Sequence, residues 1–205
     1  MNSLYSPPAF RVDERATLLA HAAAYPFATV VTHGDDGLLV SHLPLLIDAE
    51  RAVLRGHLAR ENRQLAHFAA EGDVLAIFHG PHGYVSPSIY EDQPSVPTWN
   101  YVVVHARGRA RVVGPADLRA ILDDMVARFD DTGWRFDGTD AFLRSKLEAI
   151  AGFEVVLESI QGKWKISQNR SVEDQRRVIS WLDHGDALSR ALAAVMRARL
   201  DAGAF

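Results

Sequence analysis

The sequence predicts a mainly β protein with helices, a small barrel decorated by α-helices. Three observations predict it. Six or seven runs rich in β-branched and aromatic residues recur along the chain between turn residues. Helical patterns stand between and after them, without the regular strand-helix-strand rhythm of a doubly wound sheet. The 205 residues, 48% hydrophobic and 23% charged, suffice for one sizeable core, and no repeat, low-complexity tract or linker divides them. The expected organisation is a single domain over residues 1–205, with a C-terminal helical extension over about 172–205.

Asp13 is the expected N-cap of a first helix within residues 12–24, which stops at Tyr25-Pro26. FATVVTH, the GDDG turn and LLVSHLPLLID read as a hairpin. Pro44 marks an edge, a bulge or a strand end, because proline cannot donate to a ladder. Ser41 and His42 interrupt that apolar run and need partners, water or ligand. The next stretch, VLRGHLAREN at 53–62, alternates: Arg55 and His57 share one face, and Leu54, Gly56 and Leu58 share the other. Arg60 and Asn62 follow at a strand-to-helix turn. Three groups able to carry positive charge and one amide, so close together, have the composition of an oxyanion site. Arginine offers a fixed fork of donors, and a helix start adds free backbone N–H groups. A strand with arginines on its solvent face reads the same locally.

Residues 61–70 then read as a helix, VLAIFHG as a strand, and residues 80–99 as a long loop rich in proline, glycine and serine. Tyr84, Tyr90 and Trp99 make it an ordered loop at a site. Residues 100–113 form a long strand or strand pair, with a bulge expected at Gly108. Trp99 and Tyr101 share a face and could wall an aromatic slot, while Asn100 faces away. Pro115 opens a helix, Gly133-Trp134 interrupts, and Thr139-Asp140 caps a shorter helix before Gly152. FEVVLESIQGKWKIS reads as two strands around a turn at Gln161-Gly162, and 172–200 as helices broken at Asp183-His184-Gly185. In GKWKISQNR, Lys163, Lys165 and Ser167 share one face and Trp164, Ile166 and Gln168 the other, with Asn169 and Arg170 at the end. Gln and Asn pair donors with acceptors, as reading the amide edge of a flavin pyrimidine ring requires, and Trp164 either stacks there or fills core.

Several chemistries are excluded. Without cysteine there are no disulfides, thiolate metal sites or Cys nucleophiles. His79, His82 and His105 match no ligand spacing and have no acidic cluster beside them, so no metal is expected. No G-x-S-x-G elbow, P-loop or G-x-G-x-x-G is present. A net charge of −4 and a pI near 6.1 argue against general attraction to nucleic acid. The arginine-bearing helix at 188–200 reads as an amphipathic packing element. With no apolar run of about 20 residues and no basic-then-apolar N-terminus, a soluble cytoplasmic protein with no membrane contact is expected.

Taken in order, FATVVT, SHLPLLID, LRGHLAREN, FHGPHGYVSPSIY, VPTWNYVVVHARG and GFEVVLESIQGKWKISQNRS closely resemble the PaiB family of FMN-binding negative transcriptional regulators. The resemblance implies an FMN-binding split β-barrel related to pyridoxamine 5′-phosphate oxidase, a homodimer with FMN in clefts at the subunit interface. It puts the flavin phosphate near Arg55, His57, Arg60 and Asn62, with Ser41 and His42 nearby. Trp99 and Asn100 would lie along the cleft, and Lys165, Gln168 and Asn169 would complete the site. One departure is visible: the Ser-Arg-Lys run of the oxidase pattern is replaced by Ala59-Arg60-Glu61-Asn62. The implied function is a flavin-dependent negative regulator, with DNA or a regulatory partner. The alternative is an FMN-dependent oxidoreductase acting on a small molecule, with the 80–97 segment as a lid and FMN carrying the electron chemistry.

Overall fold

The structure, a computed structural model, describes residues 4–34, 37–135 and 141–203. The expected Thr139-Asp140 cap and the Asp35-Asp36 centre of the hairpin turn lie outside the described residues. In chain order the elements are β1 (Arg11–Val12), α1 (Arg15–Ala24), β2 (Phe27–Gly34), β3 (Gly37–Pro44), β4 (Leu46–Asp48), β5 (Val53–Ala59), α2 (Gln64–Ala69), β6 (Asp73–Val85), β7 (Thr98–Val112), α3 (Pro115–Phe129), α4 (Ala141–Glu148), β8 (Ile150–Lys165), α5 (Val172–Asp183) and α6 (Ala187–Asp201). The strands follow the order β3-β2-β6-β7-β8-β5-β4, and β1 pairs with β8. The chain divides into two compact units: Met1–Glu14, His79–Val104 and Gln161–Phe205 form the first, Arg15–Phe78 and His105–Ile160 the second.

In the second unit the hairpin is present, paired antiparallel from Phe27↔Pro44 to Gly34↔Gly37. Pro44 ends β3, as its missing N–H requires. β5 pairs with β4 through Arg55↔Leu46 and with β8 through Arg55↔Glu154 and His57↔Gly152. Its apolar face enters the core. A Cβ on Gly56 would stand 2.8 Å from Leu45 Cδ2 and 2.9 Å from Phe153 Cζ, so only glycine fits there. Phe153 is fully buried and its ring centroid lies 4.6 Å from that of Phe68. The buried Gln64 amide donates to Val30 O, Thr32 Oγ1 and Leu39 O, tying α2 to the hairpin. Glu154, almost fully buried, takes hydrogen bonds from Arg51 and Arg111. Burial pushes its carboxyl up, but those two guanidiniums outweigh burial and hold it below the usual carboxylate range.

β7 is one strand with no break at Gly108, and a Cβ on Gly108 would come within 1.9 Å of Val156 O. The glycine permits this close approach of backbone. The expected helix over 61–70 shortens to α2, six residues.

The first unit holds the other corrections. No turn forms at Gln161-Gly162: β8 runs on to Lys165 because β1 pairs alongside it, Val12↔Gly162 and Arg11↔Lys163. Likewise β6 continues to Val85, so the irregular segment before β7 covers only 86–97, with a 3₁₀ turn at Pro87–Ile89. Gly83 had suggested a loop; a Cβ there would lie 2.7 Å from Leu182 Cδ2, so the glycine lets α5 and α6 pack on the strand. α5 is capped by Ser171, whose Oγ accepts from Asp174 N, and α6 by Asp186, whose carboxylate accepts from Ser189 N at 2.8 Å. Burial of Val178, Leu182, Leu192, Ala193 and Met196 makes these helices part of a core.

Candidate functional site

In the second unit, β5 aims Arg55 and His57 to the same half-buried side, as its alternation predicts. Arg55 Nη1 pairs with Asp124 of α3 at 2.8 Å. Among the described residues, neither Arg55 Nε nor His57 Nδ1 has a hydrogen-bond partner, although both atoms are buried. Buried polar groups are seldom left so, because an unmade bond costs about 1–3 kcal/mol. Burial also holds the His57 imidazole below its ordinary pKa. Past the strand, Arg60 is exposed and its Nε donates to Glu148 O at 2.8 Å. Asn62 Nδ2 donates to Ser41 Oγ at 2.9 Å, so Ser41 finds its partner in another side chain and not in the water or ligand expected. His42 Nδ1 lies 3.2 Å from Thr29 Oγ1. One expectation changes. The helix start was to offer free N–H groups, yet Gln64 N already donates to Asn62 Oδ1 at 2.9 Å.

In the first unit, Trp99 is half exposed, with Tyr84 edge-on at 6.1 Å and His82 at 6.2 Å between ring centroids. Beside it opens a cavity of about 460 Å³ lined by His79, His82, Trp99 and Tyr101. Asn100 is buried on the opposite face of β7 and donates to Ser167 Oγ at 2.8 Å. Lys165 Nζ donates to Thr98 Oγ1 and to Trp99 O. Its pKa is lowered, by burial first and then by the neighbouring charge of Lys163. Asn100, Lys165 and Asn169 line a second cavity, of about 120 Å³, with Tyr90, Ser167 and Arg170. Gln168 is turned away from such use: Oε1 accepts from Ile166 N at 2.8 Å and Nε2 donates to Trp164 O, so both ends close on its own strand. Trp164 is buried as core.

Sequence reasoning missed Asp124, and it named Tyr90, Ser167 and Arg170 without bringing them together as one pocket. For Arg170 a signal existed, a cation ending the polar run SQNR just before a helix cap. For Asp124 there was none, since nothing local couples a helix carboxylate to a strand arginine.

Residues 4–159 match a family model described as "Putative FMN-binding domain". The chain belongs to this FMN-binding-domain family. Within the family's reach lies "Protease synthase and sporulation protein PAI 2" of Bacillus subtilis (strain 168), 34% identical over 187 residues, 88% of this chain and 90% of that protein. Two solved structures share the fold. The FAD and heme binding protein from Mycobacterium smegmatis is 15% identical, has a TM-score of 0.63 and covers 81% of this chain and 78% of its own. The flavocytochrome Anf3 from Azotobacter vinelandii is 18% identical, with a TM-score of 0.62 and 76% and 69% covered. This FMN-binding-domain protein therefore has the split-barrel fold, mostly antiparallel sheet with six helices among the described residues, and its cofactor is FMN. The residues present fit a phosphate-bearing group, because Arg55 and His57 offer two unspent polar atoms on one side of one strand. No helix among the described residues is long and apolar enough to cross a membrane.

Proposed function

We propose that this chain is an FMN-binding regulatory protein that holds the flavin phosphate at Arg55 and His57, with Ser41, His42, Arg60 and Asn62 around them. The observation that carries this is the pair of buried, unpartnered atoms Arg55 Nε and His57 Nδ1 on one strand face. Arg55 supplies a fork of donors, and His57 becomes a second cation once an anion offsets its burial. The Ser41–Asn62 bond fixes the turn after β5, and Arg60 is steadied by Glu148 O. The bound flavin supplies two-electron chemistry, and this chain's residues bind and orient it. We read its role as regulatory, negative and exerted on transcription; what supports a regulatory role is the likeness to the Bacillus subtilis relative, whose name is that of a protease synthase and sporulation protein. DNA or a regulatory protein would be the partner.

We further read the chain as one domain that works as a homodimer. Phe27, Leu38 and Val40 of the hairpin are 64%, 68% and 55% exposed, an apolar face of the kind a second copy covers. The second functional reading, an FMN-dependent oxidoreductase, is favoured by the cavity of about 460 Å³ walled by His79, His82, Trp99 and Tyr101, room for a small substrate. The test is the visible spectrum of the purified protein after FMN is added and the mixture is gel-filtered. A shifted flavin spectrum that co-elutes with a dimer, without turnover of NADH or NADPH, is the expected result. A colourless eluate overturns flavin binding, and steady turnover moves the assignment to the oxidoreductase.

A further inference from the structure

The cavity of about 120 Å³ in the first unit combines four features that its core neighbours do not need. Two cations, Lys165 and Arg170, line it, and no carboxylate does. Of the acids near it along the chain, Glu91 pairs with Arg177 at 2.9 Å, and Asp174, fully buried, accepts from Glu91 N through Oδ1 at 2.7 Å while its Oδ2 has no partner among the described residues. Arg170 Cζ lies over the Tyr90 ring, 4.4 Å from its centroid, a contact that leaves its charge unneutralised. Lys165 Nζ is anchored by two neutral acceptors, Thr98 Oγ1 and Trp99 O, leaving one of its three donors unspent on them.

Backbone geometry adds a further sign. Ser167, buried in the wall, holds φ at +63°, a left-handed conformation that costs a non-glycine residue about 1–3 kcal/mol and persists only when its surroundings impose it. Here the surroundings are Asn100, which donates to Ser167 Oγ at 2.8 Å, and Arg170 N, which donates to Ser167 O at 2.9 Å. The strained serine thus sets the position of Arg170 and of the exposed amide of Asn169 at the pocket rim.

We propose that this pocket binds the phosphate group of a small phosphorylated molecule, independently of the flavin-phosphate site assigned to Arg55 and His57. Size agrees with the charge. About 120 Å³ is the room of roughly four waters, enough for a tetrahedral oxyanion. The family match ends at residue 159, so Tyr90, Thr98 and Asn100 lie within it and Lys165, Ser167, Asn169 and Arg170 lie past it. The occupant is an effector or a substrate that enters phosphate first, or inorganic phosphate itself.

Calorimetric titration of the full chain with inorganic phosphate and with glycerol 3-phosphate tests this, using Arg170→Gln, Asn169→Asp and Arg55→Ala variants. Both probes are expected to bind the unaltered chain, at least tenfold more weakly to Arg170→Gln, and unchanged to Arg55→Ala. Asn169→Asp, an exposed change at the rim, should weaken binding while leaving thermal unfolding unchanged, which removes misfolding as an explanation. Tighter binding of the ester assigns a phosphorylated metabolite; equal binding assigns inorganic phosphate. No binding, or binding indifferent to both pocket variants, overturns the proposal. So does loss of FMN affinity in Arg170→Gln together with displacement of FMN by phosphate, since the pocket would then be the flavin's own. Unaltered FMN affinity in Arg55→Ala with phosphate binding still lost in Arg170→Gln would sink the flavin-phosphate assignment and leave this pocket standing.

Discussion

Arg55 and Arg170 carry the same guanidinium in two different states of readiness. Arg55 stands on a strand with one end bound to the Asp124 carboxylate at 2.8 Å and its Nε unpartnered. Arg170 stands at the end of a polar run, its guanidinium carbon over the Tyr90 ring, in a pocket lined by no carboxylate. An anion arriving at Arg55 exchanges one negative partner for another and gains only the difference. An anion arriving at Arg170 meets a charge not yet answered. Composition alone does not make a site; the prior occupant of each cation decides what an incoming ligand gains.

The largest effect that would break this comparison is on FMN itself. Arg55→Ala removes a charge-assisted fork, and hydrogen bonds to charged groups are worth about 1.5–3 kcal/mol, so FMN affinity should fall roughly 10- to 100-fold. Arg170→Gln should leave it within about twofold. Fluorescence quenching of FMN on titration with each variant measures both. The reverse ranking would mean that the flavin phosphate belongs in the Arg170 pocket.

Asp124→Asn sharpens the same contrast from the other side. Asp124 is half exposed and can turn to water, so freeing Arg55 of it should tighten FMN binding by about fivefold, at most a factor near ten. No carboxylate lines the other pocket, so no single acid-to-amide change there should give a comparable gain. Weaker FMN binding in Asp124→Asn would show that the carboxylate positions Arg55 instead of competing for it.

His57 gives a smaller, pH-dependent effect. Burial holds its pKa below the ordinary 6.5, so the ring is neutral at pH 7 in the free protein. A bound phosphate favours the charged ring and raises that pKa. Binding then takes up a proton, and affinity should rise as pH falls from about 7 to 6, by less than tenfold per unit. The sign for folding is opposite. A depressed pKa in the folded state means that this contribution to stability is present above pH 6.5 and is lost as pH falls through the folded value. FMN titrations at both pH values, repeated with His57→Gln, separate the histidine from the titration of the flavin phosphate; an undiminished slope in the variant removes His57 from the site.

The two regions were not equally legible in the sequence. The face shared by Arg55 and His57 follows from the two-residue period of a strand, a local property, and so does the burial of Leu54 and Leu58. Glycines misled in a consistent way. Gly83 and Gly162 suggested a loop and a turn, whereas the strands continue through both. A glycine demanded by close contact with another element looks locally identical to one demanded by a turn, and only the neighbour, Leu182 for Gly83 or Val156 for Gly108, tells them apart. The pocket of Arg170 was hidden for the same reason. Tyr90, Asn100 and Ser167 come from three separated stretches, and the conformation that joins them, Ser167 at positive φ, has no residue signature because serine is not a residue that usually adopts it.

That last point yields the smallest expected effect and the closest test of the comparison. Ala52, at the entry to β5, and Ser167, in the pocket wall, both sit at positive φ, +54° and +63°. Ala52 offers only a methyl group, and its backbone carbonyl accepts from Leu157 N at 2.9 Å. Ala52→Gly therefore relieves the left-handed strain and loses nothing specific; after glycine's greater unfolded-state entropy is subtracted, about 0.5 kcal/mol of stabilisation should remain. Ser167→Gly relieves the same strain but removes the acceptor of buried Asn100 Nδ2, and an orphaned buried donor costs about 1–3 kcal/mol, so the net change should be destabilising by about 1 kcal/mol. Denaturant unfolding of the two variants side by side reads the opposite signs directly. If both glycines stabilise, the serine is merely tolerated in its conformation. If only Ala52→Gly does, Ser167 is held in place by the hydrogen bond that also orders the pocket around Arg170.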